Sequence, residues 1–169
     1  SDVYKRQKIC SMKTLILVRH AKSDWPENVD DFDRPLTELG KINAPKMAEF
    51  LKSTGVTIDS FISSPAKRAK HTCELFSTVF NKTFHTNEKL YRPSESNCLS
   101  VIFDVDDAVN SLALFSHNNG ISNFANSLSS ELINLPTCGI VAYEIDCNRW
   151  CDFEMAEKRF LYFYSPKNV

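Results

Sequence analysis

The sequence predicts an α/β fold, three layers deep (α/β/α), with a mostly parallel central sheet. The first observation is a set of short apolar runs rich in branched residues, at 15–18, 58–62 and 111–115. Each run stops abruptly at polar residues and is followed by a stretch whose apolar positions have helical spacing. The second is the alternation itself, since strands that take turns with helices build parallel sheets covered on both faces. In such sheets ligands bind at the carboxyl ends of the strands, so the residues just after each run carry the functional question.

A chain of 169 residues can bury roughly 70% of its unfolded surface in one core. We read 12–169 as a single domain, with Met12 just before the first strand, and 1–11 as an N-terminal extension outside the fold. A hydrophobic fraction of 43% and a net charge of −1 describe an ordinary globular protein and point to neither a nucleic-acid surface nor a membrane anchor. The only apolar run near the N-terminus is too short for a signal peptide, so a cytoplasmic protein acting as a monomer is expected. The six cysteines include no CxxC pair, which suits free thiols in a reducing compartment. Cys138, Cys147 and Cys151 match no standard zinc spacing, and no metal or cofactor is expected.

Taken in order, the first strand runs into Arg19-His20 and a polar segment with Pro26. An acidic loop, 28–36, leads to a helix marked by Thr37 as N-cap and Glu38 in its first turn. This helix is expected to turn Leu39, Ile42, Ala44, Met47, Ala48, Phe50 and Leu51 toward the core and to stop at Gly55, with Pro45 kinking it or delaying its start. The second strand ends in Ser63-Ser64-Pro65. A helix opens there with Pro65 near its first position, Arg68 in its first turn, and Ala66, Ala69, Cys73, Leu75, Phe76 and Phe80 on an apolar face.

A weak strand at 83–86 follows, then a helix from Ser94, whose capping box with Asn97 is a poor one. The third strand runs into Ser116-His117-Asn118-Asn119-Gly120 and a helix over 121–128. Runs at 140–145 and 159–164 supply two more strands, with Trp150–Met155 as a hairpin partner.

Three strand-to-helix junctions thus deliver Arg19 and His20, then Arg68, then His117 to one edge of a parallel sheet. Two arginines and two histidines around a pocket make a cationic cavity suited to a phosphoryl group, because guanidinium forks match phosphate oxygens. A neutral imidazole is also a competent nucleophile and needs no base to deprotonate it near neutral pH.

Arg19-His20, Arg68 within Ser63-Ser64-Pro65-Ala66-Lys67-Arg68-Ala69, and His117 within Ser116-His117-Asn118-Asn119-Gly120 resemble the histidine phosphatase superfamily, whose fold is phosphoglycerate-mutase-like. The forms Arg19-His20-Ala21-Lys22-Ser23 and Asp33-Arg34-Pro35-Leu36-Thr37 resemble the small SixA-type phosphohistidine phosphatases within it. The resemblance implies His20 as a nucleophile that becomes a phosphohistidine, with Arg19, Arg68 and His117 lining the phosphate pocket. It also implies Arg34 as a substrate contact at the pocket mouth, although a surface arginine capping a loop carboxylate explains it equally well. Asn118 would offer its amide to the substrate, or simply turn the chain with Asn119-Gly120.

This chain departs from the wider superfamily in two places. Ala21 stands where glycine follows Arg-His, and Arg92 stands at the position of a general-acid glutamate. Glu88 and Asp24 are nearby alternatives for that acid, off the motif position. A missing acid matters most for an alkoxide leaving group and least for an imidazole already protonated on its ring. The expected function is therefore dephosphorylation of phosphohistidine on a phosphotransfer protein. A phosphomonoesterase for a small metabolite or nucleotide, and a non-catalytic phosphoprotein-binding module, are the alternatives.

Few residues are free to form a lid, with 21–36 and 91–107 as the candidates, so an open and shallow site is expected. His71 and His85 read as structural. Asp24, Asp30, Asp31 and Asp33 read as a solvated loop rather than a metal site.

Overall fold

The computed structural model describes residues 12–169; the extension 1–11, Cys10 included, lies outside the described residues. Strands β1 (Met12–Arg19), β2 (Ser60–Ser63), β3 (His85–Thr86), β4 (Ser111–Ser116), β5 (Ile140–Asp146) and β6 (Lys158–Tyr164) form one sheet in the order β3-β2-β4-β1-β5-β6. Pairings β2–β3, β2–β4 and β1–β4 are parallel, while β5 runs antiparallel to both β1 and β6.

Helices α1 (Glu38–Ser53) and α2 (Lys67–Val79) cover one face of the sheet, α3 (Glu95–Phe103) and α4 (Gly120–Leu128) the other. The alternation of β1 divides the two cores. Leu15 and Leu17 pack among Ile102, Phe124 and Trp150, and Ile16 and Val18 among Met47, Leu51 and Phe76. Both sides of β1 are therefore apolar, as a strand buried between two helix layers requires.

The α1 start behaves as its sequence signals: the Thr37 hydroxyl accepts from the Gly40 N–H at 3.0 Å. Its buried stripe is Gly40, Ala44, Met47, Ala48 and Leu51. Leu39 and Ile42, assigned to the core from sequence, are instead 50% and 63% exposed, because the stripe turns about Gly40. A Cβ at Gly40 would fall on the Lys22 carbonyl oxygen, so this residue and not Leu39 faces inward. The helix continues through Pro45 to its C-cap at Thr54, and Gly55 follows in the left-handed region (φ 89°).

Two further elements differ from expectation. The Ser94–Asn97 capping box of α3 is complete in both directions. Residues Trp150–Met155 form a 3-10 helix and not a hairpin strand, drawn in by Trp150 and Phe153, both fully buried in the α3–α4 core. The five described cysteines are free thiols.

At the amino-terminal end of β1, Lys13 is only 3% exposed. Its ammonium donates to the Asp107 carbonyl (2.6 Å), the Val109 carbonyl (2.9 Å) and Asn110 Oδ1 (3.0 Å), which uses all three hydrogens. At the carboxyl-terminal end, the loop that follows His20 is pinched at its neck. Asp24 N–H donates to the Pro35 carbonyl (2.9 Å), Thr37 N–H to the Lys22 carbonyl (2.9 Å), and Ser23 bridges Leu36 in antiparallel fashion.

Candidate active site

The carboxyl ends of β1, β2 and β4 open into one cavity of about 380 Å³ that Arg19, His20, Arg68 and His117 all line. The parallel register explains the convergence. Arg19 is paired with Ser116, so His20 and His117 leave adjacent strands at the same height, with ring centroids 5.4 Å apart. Arg68 arrives from the first turn of α2, just beyond β2. His20 and His117 are buried, at 6% and 3% exposure. The two imidazoles are therefore at the buried end of the cavity, while the Arg92 side chain, 69% exposed, is at its open end.

The hydrogen bonds fix the state of both imidazoles. His20 Nδ1 lies 2.7 Å from the Ala21 carbonyl, which can only accept, so Nδ1 carries the proton. Burial holds the His20 pKa down to about 4, against the raising effect of the Ala21 bond and with the help of Arg68, Arg19 and Arg34. Near neutral pH the ring is consequently neutral, and Nε2 bears its free lone pair. His117 is also neutral: burial, then the charge of Arg68, holds it down to about 3.

Ser64 sets the tautomer of His117. Its Oγ accepts from the Ala66 N–H (3.2 Å) and lies 2.7 Å from His117 Nε2. When the hydroxyl donates its hydrogen to Nε2, Nδ1 keeps the ring proton and faces the cavity as a donor. That Nδ1 is buried without a partner, and so are Arg19 Nε and Arg68 Nε. Among the described residues only Tyr162 Oη, on β6, is likewise buried without a partner, so three of the four such atoms meet in this cavity, each costing ~1–3 kcal/mol while unpaired.

Asp31 is the residue that sequence reasoning missed. Read as part of a solvated loop, it instead organises the pocket from the 3-10 turn Asp31–Asp33. Arg68 donates to its backbone carbonyl (2.6 Å) and to Oδ2 (3.2 Å), and the Tyr91 hydroxyl donates to Oδ2 (2.7 Å). Arg34 pairs with Oδ1 and Arg92 with Oδ2, each at 3.3 Å. Burial works to raise the Asp31 carboxyl, but the Tyr91 hydrogen bond and the Arg68 and Arg34 cations outweigh it and hold the group well below the usual carboxylate range.

Its neighbours in sequence gave no distinguishing signal; only the fold brings Arg68 and Tyr91 to it. Ser64 and Thr72 were missed for the same reason. The Thr72 hydroxyl receives the Ala21 N–H (2.9 Å) and donates to the Arg68 carbonyl (2.7 Å), tying the loop after His20 to α2.

Arg34 lines the cavity and pairs with a loop carboxylate, that of Asp31. Asn118 lines the cavity, but its amide hydrogens go to Asn134 Oδ1 and the Leu135 carbonyl, each at 3.2 Å. Arg19 Nη1 donates to the same Leu135 carbonyl at 3.0 Å. Asn118 thus anchors the segment that steers Arg19. Neither alternative acid faces the cavity: Asp24 accepts the Trp25 N–H (2.8 Å), and Glu88 sits in an exposed 3-10 turn. Arg92, at the motif position, does line it.

Residues 15–91, the stretch that carries Arg19, His20, Asp31 and Arg68, match the model of the histidine phosphatase superfamily (branch 1). Over that stretch the chain is similar to the superfamily. Relatives within reach of sequence comparison include an uncharacterized protein of Mycobacterium tuberculosis, 29% identical over 161 residues and covering 89% of this chain and 100% of its own. Another is an uncharacterized chloroplastic protein of Arabidopsis thaliana, 27% identical over 151 residues, 82% of this chain and 69% of its own. Among solved structures, a protein histidine phosphatase SixA complexed with tungstate superposes with a TM-score of 0.79 at 22% identity, covering 92% of this chain and 98% of the other. A mycobacterial glucosyl-3-phosphoglycerate phosphatase complexed with VO3 does so with a TM-score of 0.71 at 14% identity, covering 90% and 100%. These likenesses show that the fold shared with those structures extends past residue 91 and takes in most of the chain. Among the described residues no helix is long and apolar enough to cross a membrane.

Proposed function

We propose that this protein is a phosphatase that works through phospho-His20 and that its substrate is phosphohistidine on a phosphotransfer protein. The observation that carries the reading is the donor arrangement around His20: a neutral ring with its proton pinned on Ala21 and its Nε2 lone pair free, beside three buried donors that lack acceptors. A phosphoryl group satisfies those donors and meets the lone pair.

In the first step His20 Nε2 bonds to phosphorus as the bond to the leaving group breaks. Arg19, Arg68 and His117 Nδ1–H hold the equatorial oxygens, where most of the rate in phosphoryl transfer arises. In the second step water attacks phosphorus, one of its protons passes to the phosphate, and His20 departs as the neutral Nδ1–H imidazole. Asn118 serves here as a positioning contact for Arg19, and the charge around the transferring group comes from guanidiniums.

The choice of a phosphoramidate over an ester rests on protons. Asp31 is the single carboxylate lining the cavity among the described residues, and it is held ionised. An alkoxide leaving group would find no acid there, whereas an imidazole protonated on its distal nitrogen leaves as a neutral ring without one. Two measurements test this. Rapid acid-free quench should trap an acid-labile phosphoryl label on wild type and none on His20→Ala, whose turnover should fall by about 10⁴-fold or more. Turnover of a phosphohistidine peptide should exceed that of phosphate monoesters; faster ester turnover would overturn the substrate class, and tight phosphate binding without any label would favour the binding module.

A further inference from the structure

We propose that the mouth of the cavity is a second anion subsite, built by Arg34 and Arg92, that takes a carboxylate side chain adjacent in sequence to the phosphohistidine of the protein substrate. The proposal rests on the phosphohistidine reading and adds to it the chemistry of the substrate's flanks.

Charge is the first argument. Arg19, Lys22, Arg34, Arg68 and Arg92 line the cavity against Asp31 alone. A bound phosphoryl group of charge about −2 still leaves about two positive charges uncompensated. Of the three arginines on Asp31, Arg68 is 5% exposed, Arg34 22% and Arg92 69%, so the excess charge is most accessible at Arg92.

Geometry is the second. Arg34 and Arg92 come from different loops and grip opposite oxygens of the Asp31 carboxylate. Each is braced by an aromatic ring, Arg34 at 4.7 Å from the Trp25 centroid and Arg92 at 5.3 Å from that of Tyr91. The two guanidiniums are thus held where they already bind one carboxylate. Arg92 keeps most of its donors free, with a side chain 69% exposed. It also holds a left-handed backbone (φ 51°), which a non-glycine residue rarely adopts. The chain maintains that conformation at a residue whose side chain makes one ion pair and one ring contact.

The third argument selects a protein over a small molecule. Trp25 and Phe32 are 59% and 40% exposed on the same loop as Asp31 and Arg34, yet neither lines the cavity. Trp25 packs on Arg34 and Phe32 on Tyr91, and the parts of both rings left exposed lie outside the cavity, within reach of the surface around a phosphorylated side chain. Tryptophan and arginine clustered in this way are the residue types that dominate protein–protein contacts.

The test uses the full chain and two phosphohistidine peptides that differ only in Glu or Gln next to the phosphohistidine. Wild type should show kcat/KM about 5- to 10-fold higher for the Glu peptide, carried by KM and shrinking as salt is raised. Arg92→Gln and Arg34→Gln should each bring the ratio toward one. Equal rates on the two peptides in wild type, or a preference that both variants retain, would overturn the subsite. If neither peptide is hydrolysed while doubly phosphorylated small esters are, the phosphohistidine reading itself fails and the proposal with it.

Discussion

The two ends of β1 each hold a cationic side chain against the protein interior, and they treat it in opposite ways. Lys13, at the amino end, gives all three of its hydrogens to acceptors. At the carboxyl end Arg19 leaves its Nε buried without one, as do Arg68 Nε and His117 Nδ1 nearby. The same strand, within eight residues, therefore carries a charge that is satisfied for the sake of stability and a charge left unsatisfied for the sake of a ligand. Burial of a cation alone says nothing about function; the accounting of its hydrogens does.

The sharpest way to break this comparison is to remove each charge in turn. Lys13→Met removes the donor to three partly buried acceptors, of which the Val109 carbonyl keeps Trp150 Nε1, and should cost about 1–3 kcal/mol in chemical denaturation, with kcat per folded molecule unchanged. Arg19→Met should leave stability within about 1 kcal/mol of wild type, since it deletes an orphan donor along with one hydrogen bond, while kcat/KM falls about 10²- to 10³-fold. The distinction would dissolve if both variants lost stability alike.

A smaller effect should come from filling the orphans. An oxyanion such as tungstate, at one hundred times its dissociation constant, should stabilise wild type by about 2.7 kcal/mol in thermal unfolding. The same concentration should do far less for Arg19→Met and should leave the deficit of Lys13→Met uncorrected relative to wild type.

A last test is a slope with pH. His20 and His117 are held down to about 4 and about 3 in the fold, from an ordinary value of 6.5. The unfolded chain thus binds more protons once the pH falls below about 6.5. Stability of the unliganded protein should drop by up to ~1.4 kcal/mol per pH unit for each ring, down to about pH 4 for His20 and about pH 3 for His117. Above about 6.5 the two rings contribute no slope. Urea titrations between pH 7 and 4 measure this, and a flat profile would mean the rings are not desolvated.

How much of this was legible in the sequence follows from how local each signal is. The strand-to-helix junctions were, because a strand's end and a helix's start are written in consecutive residues, and parallel register does the rest. Thr37 as N-cap is of this kind. Leu39 and Ile42 were not: their spacing suits a helix face, but which face is inward depends on Lys22 lying against Gly40, a contact between segments. Trp150–Met155 failed similarly, since its shape answers to the core that Trp150 and Phe153 enter. Asp31 was the costliest omission. Four aspartates in one loop look alike until Arg68, 37 residues on, and Tyr91, 60 residues on, choose one of them.

The pinched neck of the loop after His20 has a consequence for how such an enzyme diversifies. With Ser23 and Asp24 clasped to Leu36 and Pro35, and Lys22 to Thr37, the segment between is fastened at its base independently of what its tip contains. Lengthening such a loop is cheap, since each doubling costs only about 0.6 kcal/mol of closure entropy. Residues 25–30, ahead of Asp31, behave as an exchangeable cassette: a new sequence there can carry a different aromatic or a different charge to the rim while the clasp at the neck and the bonds of Asp31 to Arg68 and Tyr91 stay in place.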